Sequence, residues 1–326
     1  MIKVNILFLS AGRRVELIEC FQRARDEIGI DSKIIAVDIS KFAPAIYHAD
    51  KYERVPRVNY KDFISKIIEI CNDYYVDLVI PTIDTELPIL VENKEKLESL
   101  TNAKILVSSK KVIDIGRDKF FTYNFFKEHD FGVPKVIDED CLQRKAYAFP
   151  LFIKPLDGSS SVDAFKVNDE KELDFFQEYV PNPIIQEFAE GDEYTIDVFC
   201  DFDGNPITIV PRKRLATRSG EVSKAVVVKD REIIDEVKRM ISILKPIGPI
   251  TIQCIKGMED MKFIEINPRF GGGAPISMQA GADSAKNLYK LLEGEKLIYH
   301  EDYEDGLIAL RYDQAIFLDR DGNVVK

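Results

Sequence analysis

The sequence predicts a mixed α/β and α+β chain, with an open parallel sheet in its first part and an antiparallel-rich remainder. Three observations carry this expectation. Apolar strand-like runs alternate with helix-length amphipathic segments as far as about residue 107, the pattern of parallel βα units. After Pro150 the pattern becomes strand-rich. The 326 residues are 45% hydrophobic and 31% charged, enough for sizeable cores and about two domains.

In chain order, Lys3–Leu9 reads as a buried strand and Arg14–Ile28 as a helix. Lys33–Val37 is a second strand, ending in Asp38. A helix near Asp62–Tyr74, a strand at Leu78–Pro81, a helix near Glu86–Leu100 and a strand at Lys104–Val107 follow. The character changes near Ser108, with a helix over Arg117–His129 and a loop at Phe131–Pro134. Strands then fall at Leu151–Lys154, Ala164–Val167, Ile184–Glu187, Tyr194–Cys200 and Pro206–Val210. With no internal repeat or low-complexity linker, the parts are expected to pack together.

Composition excludes several classes. A net charge of −11 argues against wholesale binding of nucleic-acid backbones. No run of about 18 apolar residues suggests a membrane span. The start, MIKVNILFLSAGRR, alternates like a strand and lacks a small-residue cleavage site, so a cytoplasmic protein is expected. Five scattered cysteines and three lone histidines form neither a zinc site nor a disulfide framework.

The strongest signal is GPITIQCIKGMEDMKFIEINPRFGGG, Gly248–Gly273. Thr251–Ile255 and Lys262–Ile266 flank the turn-like Gly257–Asp260, a hairpin pattern. The midpoint of Gln253 and Glu265 falls in that turn, so the two should face each other across the ladder. Asn267 lies two residues beyond Glu265 and shares its face. One carboxylate and two amides at one point suit magnesium completed by phosphate and water. Pro268 ends the strand, and Arg269 is placed to meet an anion.

Glu265-Ile-Asn267-Pro-Arg269 resembles the E-x-N-x-R signature of the ATP-grasp enzymes, and Gln253 resembles a metal-binding glutamine of the carbamoyl-phosphate synthase large subunit. The resemblance implies a Rossmann-like pre-ATP-grasp domain over residues 1–110 and a two-lobed ATP-grasp fold over 111–326. A small nucleotide-covering lobe would occupy about 145–190. It implies ATP and two magnesium ions, with manganese as a substitute, held by Gln253, Glu265 and Asn267. Arg269 would handle a phosphorylated intermediate.

The resemblance also gives meaning to segments that are ambiguous alone. Lys154 precedes the Asp157-Gly158-Ser159-Ser160-Ser161 loop, readable as a Gly/Ser hairpin or as a flap over a triphosphate. Lys119 would contact the α-phosphate. Glu187, Phe188 and Ala189 would meet the adenine edge, and Glu193 would accept from ribose hydroxyls. The basic run around Arg212, Lys213, Arg214 and Arg218 reads as a solvated face or as an anion-binding wall. Alternation puts Arg212 and Arg214 on one face, and Arg212 and Arg218 are the expected catalytic members.

The loop Ser10–Arg14, with Asp84 and Glu86, is expected at the acceptor pocket. Only Gly12 of a G-x-G-x-x-G pattern is present, which argues against a dinucleotide.

Together these imply a ligase that activates a small-molecule carboxylate, or bicarbonate, as an acyl phosphate for attack by an amine. The chain resembles one synthetase unit of the carbamoyl-phosphate synthase large subunit, with homodimerisation an open expectation. The alternatives are an acyl-phosphate-forming kinase and an ATP-binding subunit of a larger synthetase. A third comes from Ala315–Val324, AIFLDRDGNV, which resembles the nucleophile motif of haloacid-dehalogenase-like phosphatases and also reads as a strand entering an Asp-Gly turn.

Overall fold

A computed structural model describes residues 3–156 and 163–325. The first sheet has five parallel strands: β1 (Asn5–Phe8), β2 (Ile34–Asp38), β3 (Lys51–Arg54), β4 (Val76–Ile80) and β5 (Lys104–Ile105), in the order β3-β2-β1-β4-β5. Its central strands are apolar on both faces, as parallel sheets require when helices cover both sides. Ile6 and Phe8 join one core with the helix Val15–Ile28, while Leu7 and Leu9 join the other with the helix Phe63–Asp73. The helix Ser284–Leu292 packs on Val15–Ile28, and Tyr289 Oη lies 3.0 Å from Ser32 Oγ. The end of the second part thus closes over the first sheet.

A small antiparallel sheet follows, β6 (Leu151–Pro155), β7 (Phe165–Val167) and β8 (Pro183–Glu187), ordered β7-β6-β8. The largest sheet is antiparallel and has six strands: β9 (Asp192–Cys200), β10 (Pro206–Arg218), β11 (Glu221–Val227), β12 (Gly248–Lys256), β13 (Met261–Asn267) and β14 (Ile308–Leu310). Their order is β13-β12-β9-β10-β11-β14. The helix Arg231–Leu244 buries Ile233, Val237, Met240 and Ile241 against one face of this sheet. Asp230 caps it by accepting from the Ile233 N–H.

The expected fold class holds, with local differences. The helix expected over Glu86–Leu100 is two helices, Leu87–Glu92 and Lys94–Leu100. Asn93 separates them, its amide donating to Ile89 O at 2.9 Å and competing with the helical ladder. The helix expected from Arg117 starts at Lys119, because the Asp118 carboxylate accepts from the Phe120 and Phe121 N–H groups. A separate helix, Lys110–Arg117, precedes it. The edge strand β3 is almost wholly exposed and carries no apolar alternation to reveal it. Among the described residues, no helix is long and apolar enough to cross a membrane.

At the end of the chain, β15 (Phe317–Leu318) and β16 (Val324–Val325) form an exposed hairpin. Its turn is tied by Asp319, whose carboxylate accepts from the Asp321 and Asn323 N–H groups and the Asn323 amide. That carboxylate serves the turn, as in the strand-into-turn reading.

Glu86 differs from its expected place in the pocket. It is fully buried beneath the loop after β4, accepting from Ser10 Oγ at 2.6 Å and from the Thr82 N–H at 3.2 Å. Desolvation pushes its carboxyl up from 4.5 to about 7, against the opposing hydrogen bonds. A raised acid pKa means that the folded chain holds a proton the unfolded chain has released. Stability therefore falls as pH rises through the window from 4.5 to about 7. Glu86→Gln keeps one of the two acceptor oxygens that meet Ser10 and Thr82 and cannot ionise. Its melting temperature, followed from about pH 5 to about pH 8, is expected to fall less than that of the parent. Parallel profiles would remove Glu86 as the source.

Candidate active site

The β12–β13 hairpin sets the geometry. Gln253 pairs directly with Glu265, and Thr251 with Asn267. The register shifts by one residue between Gln253 and Cys254. The expected pairing is reached through that shift: the pairs nearer the turn, Cys254 with Phe263 to Lys256 with Met261, are one residue out of the register that joins Gln253 to Glu265 and Thr251 to Asn267. All three line a cleft of about 840 Å³. The cleft lies where the two antiparallel sheets meet the loops after β1 and β4. Those two strands are neighbours at the centre of the parallel sheet, flanking the point where strand order reverses.

The Glu265 carboxylate has no hydrogen bond or ion pair to another described residue, although the Lys154 ammonium feels its charge. Asn267 is buried, and its Oδ1 accepts from Arg269 Nη2 at 3.2 Å. One unpaired carboxylate with two amide oxygens on one face is a donor set that fits a hard cation such as magnesium. Among the described residues no cluster of three or more His, Cys, Asp or Glu side chains offers another metal site. Arg269 also donates to Asp84 Oδ2 at 2.8 Å, joining the end of β13 to the loop after β4.

Lys154 and Lys119 line the same cleft. Burial pushes the Lys154 ammonium down to about 8, helped by the charge of Lys119 and opposed by that of Glu265. Lys119 Nζ donates to Leu156 O at 3.1 Å. Glu187, Phe188 and Ala189 line the cleft at the end of β8. The Glu187 N–H is taken by Lys135 O and its carboxylate by Lys262, at 2.8 Å. Glu193 lines the cleft too, paired with Arg214. The expected flap, Asp157, Gly158, Ser159, Ser160 and Ser161, lies outside the described residues.

The basic strand divides. Arg212 and Arg214 face the cleft, while Lys213 turns outward to Asp192. Arg212 is fully buried and meets Asp197 through Nε at 2.7 Å and Nη2 at 3.1 Å, so its charge is already matched. Arg218 is not brought to the cleft. It is exposed near the β10–β11 turn and pairs with Asp313. Two register shifts after Arg214 break the alternation on which that expectation rested.

Sequence reasoning missed Arg214 as a site residue, although alternation with Arg212 pointed to it. It also assigned no individual role to Arg14, which lies partly buried at the cleft. Gly272 and Gly273 let two guanidinium groups approach: a Cβ on Gly272 would stand 2.8 Å from Arg14 Nη1, and one on Gly273 2.8 Å from Arg212 Nη1.

Residues 6–105 match the PylC-like N-terminal domain, and residues 116–273 match the ATP-grasp domain. A 3-methyl-D-ornithine–L-lysine ligase of Methanosarcina acetivorans is 25% identical over 269 residues, 80% of this chain and 66% of that protein. A carbamoyl-phosphate synthase of Methanobrevibacter smithii is 27% identical over 146 residues, 42% of this chain and 38% of that protein. The chain thus spans no more than about two thirds of these relatives. Among solved structures, the biotin carboxylase domain of Hydrogenobacter thermophilus 2-oxoglutarate carboxylase superposes with a TM-score of 0.71 at 17% identity, covering 93% of this chain and 73% of that one. An L-amino acid ligase from Bacillus licheniformis superposes at 0.69 and 16%, covering 91% and 75%. These structural likenesses speak for the fold. The chain therefore carries an ATP-grasp domain behind a PylC-like N-terminal domain.

Proposed function

We propose that this protein is an ATP-dependent ligase that activates a carboxylate as an acyl phosphate and passes it to an amine. The observation that carries the reading is the convergence of Gln253, Glu265 and Asn267 on one face of a cleft that also holds Lys154, Lys119 and Arg269. Two curated relatives of about 25% identity bear the name of a ligase joining two amino acids, which supports carboxylate–amine chemistry.

In this reading the nucleotide lies with its base near Glu187–Ala189 and its phosphates toward Lys119 and Lys154. The hairpin side chains hold magnesium, which neutralises phosphate charge when bound. Lys119 meets the α-phosphate and Lys154 the phosphate chain, and Arg269, steadied by Asp84, meets the acyl phosphate. Carboxylate oxygen attacks the γ-phosphorus and ADP leaves. The amine then attacks the acyl carbon and inorganic phosphate leaves. The role of the electrostatics is to gather charge that water would otherwise screen.

Glu265→Gln replaces the carboxylate with a neutral group of the same shape. Acid-dependent phosphate release from ATP is expected to fall at least about a hundred-fold, with an unchanged far-ultraviolet spectrum. Full activity in that variant removes the metal assignment.

Lys154 gives a pH signature. With its ammonium held near 8, the unliganded protein loses this charge in mildly alkaline solution. Phosphate oxygens favour the charged form, so nucleotide binding takes up a proton there and affinity falls as pH rises. Calorimetry of magnesium–ADP binding above about pH 8 should show both effects. Lys154→Arg, which stays charged, is expected to flatten the alkaline loss. A flat profile in the parent would contradict the phosphate contact.

A further inference from the structure

We propose that Arg14 is a specificity-determining residue at the acceptor end of the cleft, selecting a substrate with a second carboxylate beyond the one that is activated. This rests on the ligase reading above and adds a substrate class to it.

The charges of the cleft fall in an order. At one end, Lys154 feels the charges of Glu265 and Lys119. Asn267 and Arg269 follow along the β13 exit, linked at 3.2 Å. Arg14 stands beyond them on the loop after β1, where it feels the charge of Arg269. Arg14 is therefore separated from the phosphate-facing lysines by the arginine assigned to the reacting group. It also flanks the switch point of the parallel sheet, where ligands of open α/β sheets bind.

The other cleft arginines are engaged. Arg212 is held by Asp197 in two bonds, Arg214 by Glu193, and Arg269 by Asp84. Arg14 donates to Thr82 O through Nη2 at 3.4 Å, and no carboxylate of a described residue lies within 4.0 Å of it. Glu221 acts on it from a greater distance, and Glu221 itself meets Arg311 at 3.7 Å. Desolvation and the neighbouring Arg269 both lower the Arg14 pKa, so the surroundings disfavour its charge. Gly272 leaves Nη1 open to close approach, since any side chain there would collide with it.

A guanidinium with unspent donors, facing a cleft and repelled by a second arginine, is matched by a planar two-oxygen anion. The nearby acids, Asp84 and Glu221, set a limit on the charge that fits. They would repel a dianionic phosphate more than a carboxylate monoanion, and this favours the carboxylate.

The test uses matched acids that differ by one carboxylate, such as succinate against butyrate and glutamate against 4-aminobutyrate. Their binding to the full chain with magnesium–ADP is measured by thermal shift and calorimetry. Phosphate release from ATP is measured in parallel. The diacid members are expected to bind, and Arg14→Gln to weaken them about 10- to 150-fold while leaving magnesium–ADP affinity unchanged. Arg14→Lys should recover part of the loss. Equal binding of the members of each pair, no binding of any diacid, or an unchanged diacid preference in Arg14→Gln would overturn the proposal. Arg14-dependent diacid binding without any phosphate release would instead leave this site standing and count against the ligase reading.

Discussion

The Arg212–Asp197 pair is the constraint on which the cleft depends. Asp197 sits on β9, the strand that pairs with both β10 and β12. Its carboxylate accepts from Arg212 on β10 and from Ser277 Oγ at 2.6 Å. Ser277 belongs to the helix Ala274–Gln279, which follows the glycine triplet. One carboxylate thus ties the floor of the large sheet to the segment that leaves the β12–β13 hairpin. The pair is nearly sealed from solvent, and a buried pair is worth keeping only when its remaining donors are satisfied. Arg212 Nη1, buried under Gly273, has no hydrogen-bond partner among the described residues. That residual cost makes the pair a device for position more than for stability.

Position matters because the cleft is assembled from three separate sheets. The hairpin brings a carboxylate and two amides, the small sheet brings Lys154, and the loops after β1 and β4 bring Arg14 and Asp84. Each group is far in sequence from the others. The Arg269–Asp84 bond joins residues 185 apart, and the Ser32–Tyr289 contact joins residues 257 apart. The first domain is therefore a wall of the site as well as a neighbour of it.

This explains what could be read from the sequence. The hairpin was legible because two alternating apolar runs flank a polar turn, although the pairing of Gln253 with Glu265 also depends on a one-residue shift that the sequence does not show. Lys154 was legible as a strand-end lysine before a small-residue loop. The alternating core of β1 was legible because a doubly covered strand must be apolar throughout. Arg218 was misplaced because bulges in β10 cannot be seen in its composition. Glu86 was placed in the pocket because its position after β4 suited it, yet tertiary packing buried it and left Asp84 to face the cleft. The loop ending in Arg14 was legible as a strand-to-helix turn at the acceptor pocket, but Arg14 itself was not singled out, since what distinguishes it is how its neighbours are already paired.

The distribution of paired and unpaired charge carries the last step. Around the cleft Arg212 pairs with Asp197 and Arg214 with Glu193, so these charges neutralise one another within the protein. Glu265 and Lys154 do not: the carboxylate has no described partner, and the ammonium is held near 8 by desolvation. Two opposite charges that feel one another yet make no ion pair are a poor arrangement for an empty cleft, because each keeps its own desolvation cost. A ligand that is itself both cation and anion resolves the two together. A divalent ion satisfies the carboxylate, a phosphate chain satisfies the ammonium, and the ion and phosphate satisfy one another. The cleft is thus electrostatically incomplete in a pattern that a metal–nucleotide complex completes, whereas either component alone would leave one charge unmatched.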